Sequence, residues 1–184
     1  GYTLVDEYLM ELVAQKANVS SELVKMLEKE AGGTLQRYIS GLDLVRRRYI
    51  DPLIDKRSYI DGHRYVKLLH DIVLKLADED NSIILGRGGQ YILRDHPGAL
   101  HIHLIAEERD RILFMEDNYH LSRQQARQVI SRQDKARKNL FRFFGKQDYD
   151  QPWLYHAVLN MSQLNMDCAV ELVITMTQSL QCPE

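Results

Sequence analysis

Apolar positions divide the chain into an early helical stretch and a later stretch in which short apolar runs alternate with helices. Tyr2-Thr3-Leu4-Val5 is short, apolar and partly β-branched, which reads as a strand. Asp6 is placed to cap a helix through Met10, Leu12 and Val13. A second helix follows Ser20 and Ser21, with Leu23, Val24 and Leu27 at helical spacing and Gly32-Gly33 as its stop. Residues 34–50 carry another helical pattern that ends before Asp51-Pro52. A long helix runs from about Ser58 to Ala77, with Val66, Leu69, Ile72, Val73 and Leu76 on one stripe and Gly62 weakening its start.

Beyond residue 80 the period changes. Ser82–Leu85 and Leu100–Ile105 read as strands, separated by a short helical piece and the turn His96-Pro97-Gly98. Glu107–Asn118 is helical, Ser122-x-x-Gln125 is a capping box that opens a long helix, Ala157–Asn160 is a last strand, and Leu164–Leu180 is a closing helix. Apolar strands separated by helices predict an α/β fold with a parallel sheet covered on both faces. Ligands in such folds sit beyond the carboxyl ends of the strands. "SIIL" followed by "GRGG" puts Arg87 at such an end, and "YTLV" puts Asp6 there.

The glycine turn is not a triphosphate loop. The only Gly-Lys pair, Gly145-Lys146, has Leu140 where a Walker A glycine belongs and Gln147 where Ser or Thr belongs. "GRGGQY" misses the dinucleotide fingerprint because Tyr91 occupies the last glycine position. The Arg87 guanidinium nevertheless suits a phosphate monoester, and Gly88 and Gly89 let a ligand approach the backbone. A plain strand-to-helix turn with Arg87 facing water explains the turn alone slightly better.

Composition changes this balance only locally. The 184 residues suit one domain, with or without a helical insert, and a net charge of −2 gives no global attraction to nucleic acid or an anionic membrane. No apolar run is long enough to cross a bilayer, and Cys168 and Cys182 have neither metal-ligand spacing nor a disulfide framework, so a reducing cytoplasm is the default. Against that background Arg123, Arg127, Arg132, Lys135, Arg137, Lys138, Arg142 and Lys146 face a single acid, Asp134, before Asp148. Each arginine alone fits a solvated helix face, with Asp134 paired to Lys138. Together, beside an arginine-bearing turn, they predict anion binding. A nucleic-acid contact ranks last, because no groove-reading or stacking motif accompanies the charge.

These segments resemble a known family. "IILGRGGQYILRDHPGALHIHLIAEERDRI", "LSRQQARQVISRQDKAR" and "YHAVLNMSQL" are similar to the cytidylate kinase-like family, a branch of the P-loop nucleoside monophosphate kinases. "GYTLVDEYLMELVA" resembles that family's second strand and its acidic end. The resemblance covers most of residues 1–184, weakly over 30–65. It implies a P-loop kinase-like parallel sheet with helices on both faces in a single domain, with a helical monophosphate-binding insert over about 20–78 and a basic helical lid over about 119–150. It also implies that the first strand and P-loop lie outside the 184 residues, leaving strand edges unpaired at the sheet's centre.

The activity implied is transfer of the terminal phosphoryl group of ATP, with Mg²⁺, to a nucleoside monophosphate such as CMP. By the same resemblance Gly86, Arg87 and Gly88 would hold the acceptor phosphate, and Asp134 and Arg137 would form the acceptor-binding or lid pair. Asp6 would lie near the reacting phosphates, Arg132 and Arg137 would serve the transfer itself, and Arg123 and Arg127 would be phosphate contacts of the lid. Phosphoryl transfer needs positioning and charge neutralisation more than covalent help, which suits arginines on a movable helix. His156 and Met161 depart from the family pattern at the final strand, which keeps a second reading open: a nucleotide-sensing or protein-interaction module that retains the scaffold without the chemistry. A homodimer is compatible with either reading.

Other residues take structural readings. His101 and His103 lack a third metal ligand at useful spacing and read as ordinary strand histidines, so no protein metal site is expected. Arg46-Arg47-Arg48 reads as a solvated helix end, and Trp153 and Tyr155 as packing for the approach to the last strand.

Overall fold

The structure, a computed structural model, describes residues 1–30, 62–79, 81–145 and 149–180. The glycine stop at residues 32–33, the helix over 34–50 and the arginine triplet at 46–48 lie outside the described residues, as do Lys146, Asp148 and Cys182. The chain forms two compact units, residues 1–92 with 135–147 and residues 93–134 with 148–184.

In the first unit, strand β1 (Thr3–Val5) leads into helix α1 (Glu7–Ala17) and helix α2 (Ser21–Glu30), and helix α3 (Gly62–Asp78) leads into strand β2 (Ser82–Ile84). β1 and β2 pair in parallel, Thr3 with Ser82, Leu4 with Ile83 and Val5 with Ile84. Parallel pairing needs a long crossover, and the helices between them supply it. The helical stripes meet in one core: Leu9, Met10, Val13, Ala14 and Ala17 of α1, Val24 of α2, and Tyr65, Leu69, Ile72 and Val73 of α3 are all buried. Tyr65, absent from the predicted stripe, is fully buried and meets Phe143 edge-on at 6.0 Å.

The ends of these helices follow local chemistry. Ser20 caps α2, its Oγ accepting from the Leu23 N–H at 3.2 Å. α1 ends at Asn18, which takes the left-handed conformation (φ 57°) that such stops favour. Asp6 occupies the cap position of α1 but makes no side-chain cap bond, which corrects the expected capping role. Its exposed carboxylate is not spent on the helix.

In the second unit, strand β3 (Ile102–Ile105) and strand β4 (Ala157–Asn160) also pair in parallel, from Ile102 with Ala157 to Ile105 with Asn160. Helix α5 (Glu108–Tyr119) and the first part of helix α6 (Arg123–Phe143) lie between them in sequence, and helix α7 (Met166–Leu180) closes the chain. Ile112 of α5 packs with Ala126 and Ile130 of α6, and Met115 and Leu121 border them. The fold is mixed α/β with parallel strands, as expected, but the described strands form two separate pairs, not one continuous sheet.

The capping box is present in full. The Ser122 N–H donates to Gln125 Oε1 at 2.9 Å, and the Gln125 N–H donates to Ser122 Oγ at 3.4 Å. Ser122→Ala is expected to cost about 1 kcal/mol, read as a lower denaturant midpoint at unchanged slope.

Candidate functional site

The carboxyl edge of the β1–β2 pair carries the glycine turn. The Leu85 N–H donates to the Val5 carbonyl at 3.1 Å, so Asp6 and Gly86 leave the two strands side by side. Gly86, Arg87 and Gly88 then take three consecutive left-handed conformations, with φ of 70°, 56° and 76°. The Gly89 N–H closes the turn onto the Gly86 carbonyl at 3.1 Å and opens the short helix α4 (Gly89–Ile92). Successive N–H groups in a tight turn can form a concavity of the kind that receives anions. A glycine takes this conformation without penalty, but an arginine pays about 1–2 kcal/mol for it.

Aromatic rings from the end of α6 hold the turn. A Cβ on Gly88 would come within 2.5 Å of the Phe144 ring, so the ring and the backbone touch where only hydrogen fits. Tyr91, three residues on, meets Phe141 at 5.7 Å and Phe144 at 5.9 Å. Arg137 lies over the Phe141 ring, its guanidinium carbon 5.7 Å from the centroid. Asp6, Arg87 and Arg137 therefore belong to one unit, with Arg137 linked to the turn through Phe141 and Tyr91.

Lys135, Lys138 and Arg142 belong to that same unit, whereas Arg123, Arg127, Arg132 and Asp134 belong to the other. Arg123 and Arg132 are exposed on α6. Arg127 approaches Glu108 of α5 loosely, at 3.9 Å. Asp134 is not paired to Lys138: its two oxygens receive both arms of the Arg111 guanidinium, at 2.9 and 2.7 Å. This hydrogen bonding raises the Arg111 pKa above its already high ordinary value. Partial exposure of both partners limits the pair to about 1 kcal/mol. Asp134→Asn should thus lower stability by about that amount, and the exchanged pair Arg111→Asp with Asp134→Arg should recover part of the loss in a double-mutant cycle.

At the carboxyl edge of the β3–β4 pair, the Ser162 N–H donates to Asn160 Oδ1 at 3.0 Å and Ser162 Oγ accepts from the Glu107 N–H at 2.8 Å. The sequence reading missed Ser162. It places a hydroxyl one residue past Met161, and the visible signal was the run Asn160-Met161-Ser162 at a strand end. Trp153 is 76% exposed and does not pack the approach to β4 as expected, whereas Tyr155 does, stacked on His103 at 4.6 Å. Among the described residues no group of three or more His, Cys, Asp or Glu could hold a metal ion, and no helix is long and apolar enough to cross a membrane.

Comparison with known proteins places this architecture. The chain is similar in fold to the crystal structure of an uncharacterized protein from Eubacterium ventriosum, with a TM-score of 0.56 and 16% identity over 94% of this chain and 90% of that one. No curated protein matches the chain. The model of the cytidylate kinase-like family matches residues 1–163, which include both strand pairs, the left-handed glycine turn and the basic helix; the chain belongs to that family.

Proposed function

We propose that the protein binds a nucleoside monophosphate, CMP or a close relative, and accepts onto it the terminal phosphoryl group of ATP. Family membership supports a nucleoside monophosphate kinase-type domain. The observation that carries the acceptor assignment is Arg87 in a left-handed conformation between two left-handed glycines at a strand end. Strain of this kind persists where a side chain is needed in that place.

In this reading the guanidinium of Arg87 takes two oxygens of the acceptor phosphate, and the N–H groups of residues 86–88 line the approach. Arg137 adds positive charge from the end of α6, and Asp134 with Arg111 fixes the first part of that helix on α5. Arg123 and Arg127 supply the phosphate contacts of a lid, and Arg132 serves the transfer with Arg137. ATP is a substrate, and its Mg²⁺ arrives on the phosphates, needing only one or two carboxylates from protein. Asp6 fits that need, since its carboxylate is exposed at the same strand edge and does not cap α1. Once bound, the ion would neutralise charge on the phosphates.

The test is nucleotide binding by calorimetry and conversion of CMP to CDP with ATP and Mg²⁺, on the full-length protein. Saturable CMP binding with turnover supports the reading. Neither binding nor turnover with any monophosphate overturns it. Binding without turnover selects the sensing-module reading, which the closed Arg111–Asp134 pair favours because it already occupies one predicted acceptor contact.

A further inference from the structure

At the opposite edge of the β3–β4 pair, the strand starts are joined by side chains. The backbone N–H of His101 donates to Nδ1 of His156 at 3.0 Å, and the N–H groups of His156 and Ala157 return to the His101 carbonyl at 2.8 and 3.3 Å. The two imidazoles stack, with centroids 5.4 Å apart and planes 18° from parallel. Nε2 of His101 lies 3.1 Å from the Leu93 carbonyl.

These contacts fix both tautomers. A carbonyl only accepts, so His101 carries its hydrogen on Nε2. His156 Nδ1 accepts an N–H, so it carries no hydrogen and the ring's proton is on Nε2. A further proton on His156 has one place to go, Nδ1, where it would face the His101 N–H and remove the acceptor. His156 is exposed, so solvent protons reach it directly.

We propose that His101 and His156 form an acid-sensitive clasp at the starts of β3 and β4: at neutral pH His156 Nδ1 holds the His101 N–H, and a proton on Nδ1 breaks that bond while the backbone bonds to the His101 carbonyl remain. Among the described residues no carboxylate contacts either ring. His103 is stacked on Tyr155, and Asp150 accepts from Tyr155 Oη at 2.7 Å. Arg94, Asp95 and His96 follow Leu93, and His96 Nδ1 accepts from the Gly98 N–H. The charge effect on His101 comes from His156.

Titration of His101 acts in the same direction. Burial lowers its pKa from 6.5, the bond to the Leu93 carbonyl opposes this, and His156 lowers it further. The unfolded chain therefore takes up this proton first as pH falls below 6.5. The associated stability is complete above that value and is lost as pH drops through the folded-state pKa.

Amide hydrogen exchange on the full chain, corrected for the intrinsic pH dependence, tests the clasp. Protection of the His101 N–H is expected to fall, by up to about tenfold per pH unit, as the pH is lowered from neutral into the acid range. The Leu85 N–H, bonded to Val5 in the other unit, serves as the control and should not follow. His156→Asn keeps an acceptor oxygen but binds no proton, and should flatten the His101 profile. An unchanged acid dependence in H156N, or constant protection in the parent down to pH 5, overturns the proposal. Nitrogen shifts of the parent's imidazoles give a check that needs no variant: a proton on Nδ1 of His156 at neutral pH would equally overturn it.

Discussion

Replacing Arg87 with glycine is expected to weaken nucleoside monophosphate binding by about 100-fold while leaving stability within about 1 kcal/mol of the parent. The two effects have separate causes. Losing a two-point guanidinium–phosphate contact removes about 2–3 kcal/mol of binding, since hydrogen bonds between ionised groups are the strong ones. Glycine meanwhile relieves the cost of holding a side chain at φ 56°, which offsets the contacts Arg87 makes within the fold. Calorimetric titration with CMP and a denaturation curve on the same sample measure both. A variant that binds as tightly as the parent would remove Arg87 from the site, and a loss of several kcal/mol of stability would make it a structural residue.

Gly88→Ala should have the opposite signature, a large loss of stability that carries function with it. The new methyl group would sit 2.5 Å from the Phe144 ring, on a backbone at φ 76° that non-glycine residues rarely adopt. Strain and steric conflict together should cost about 3 kcal/mol, or roughly 10 °C in Tm for a chain of this size. In a Phe144→Leu background the same substitution should cost about 1–2 kcal/mol, because the steric part is relieved and the backbone part remains. Equal costs in the two backgrounds would show that the ring does not constrain the turn.

Local features were legible in the sequence where one side chain or one period determined the outcome. The Ser122–Gln125 box, the Ser20 cap, and the strands at Ala157–Asn160 and Thr3–Val5 all follow from neighbouring residues. Placing Asp6 and Arg87 at one strand edge followed from the parallel-sheet argument and is realised in the first strand pair. Partners distant in sequence were not legible. Asp134 has Lys138 four residues away, yet it pairs with Arg111, twenty-three residues back, because Arg111 approaches from α5 with both arms aligned. His101 read as an ordinary strand histidine, since its partner is fifty-five residues distant and no motif links them. The aromatic cluster was hidden for a related reason: Phe141, Phe143 and Phe144 stand at the end of a polar helix and look like its fraying turn until Tyr65, Tyr91 and Gly88 are brought to them.

The contact of Phe144 with Gly88 sets the end of α6 as a doorstop against the glycine bend. Any atom larger than hydrogen on residue 88 must displace the ring, which sits one residue beyond the end of a helix of 21 residues. The shape of the bend is thereby set by a ring fifty-six residues away in sequence, within the same unit.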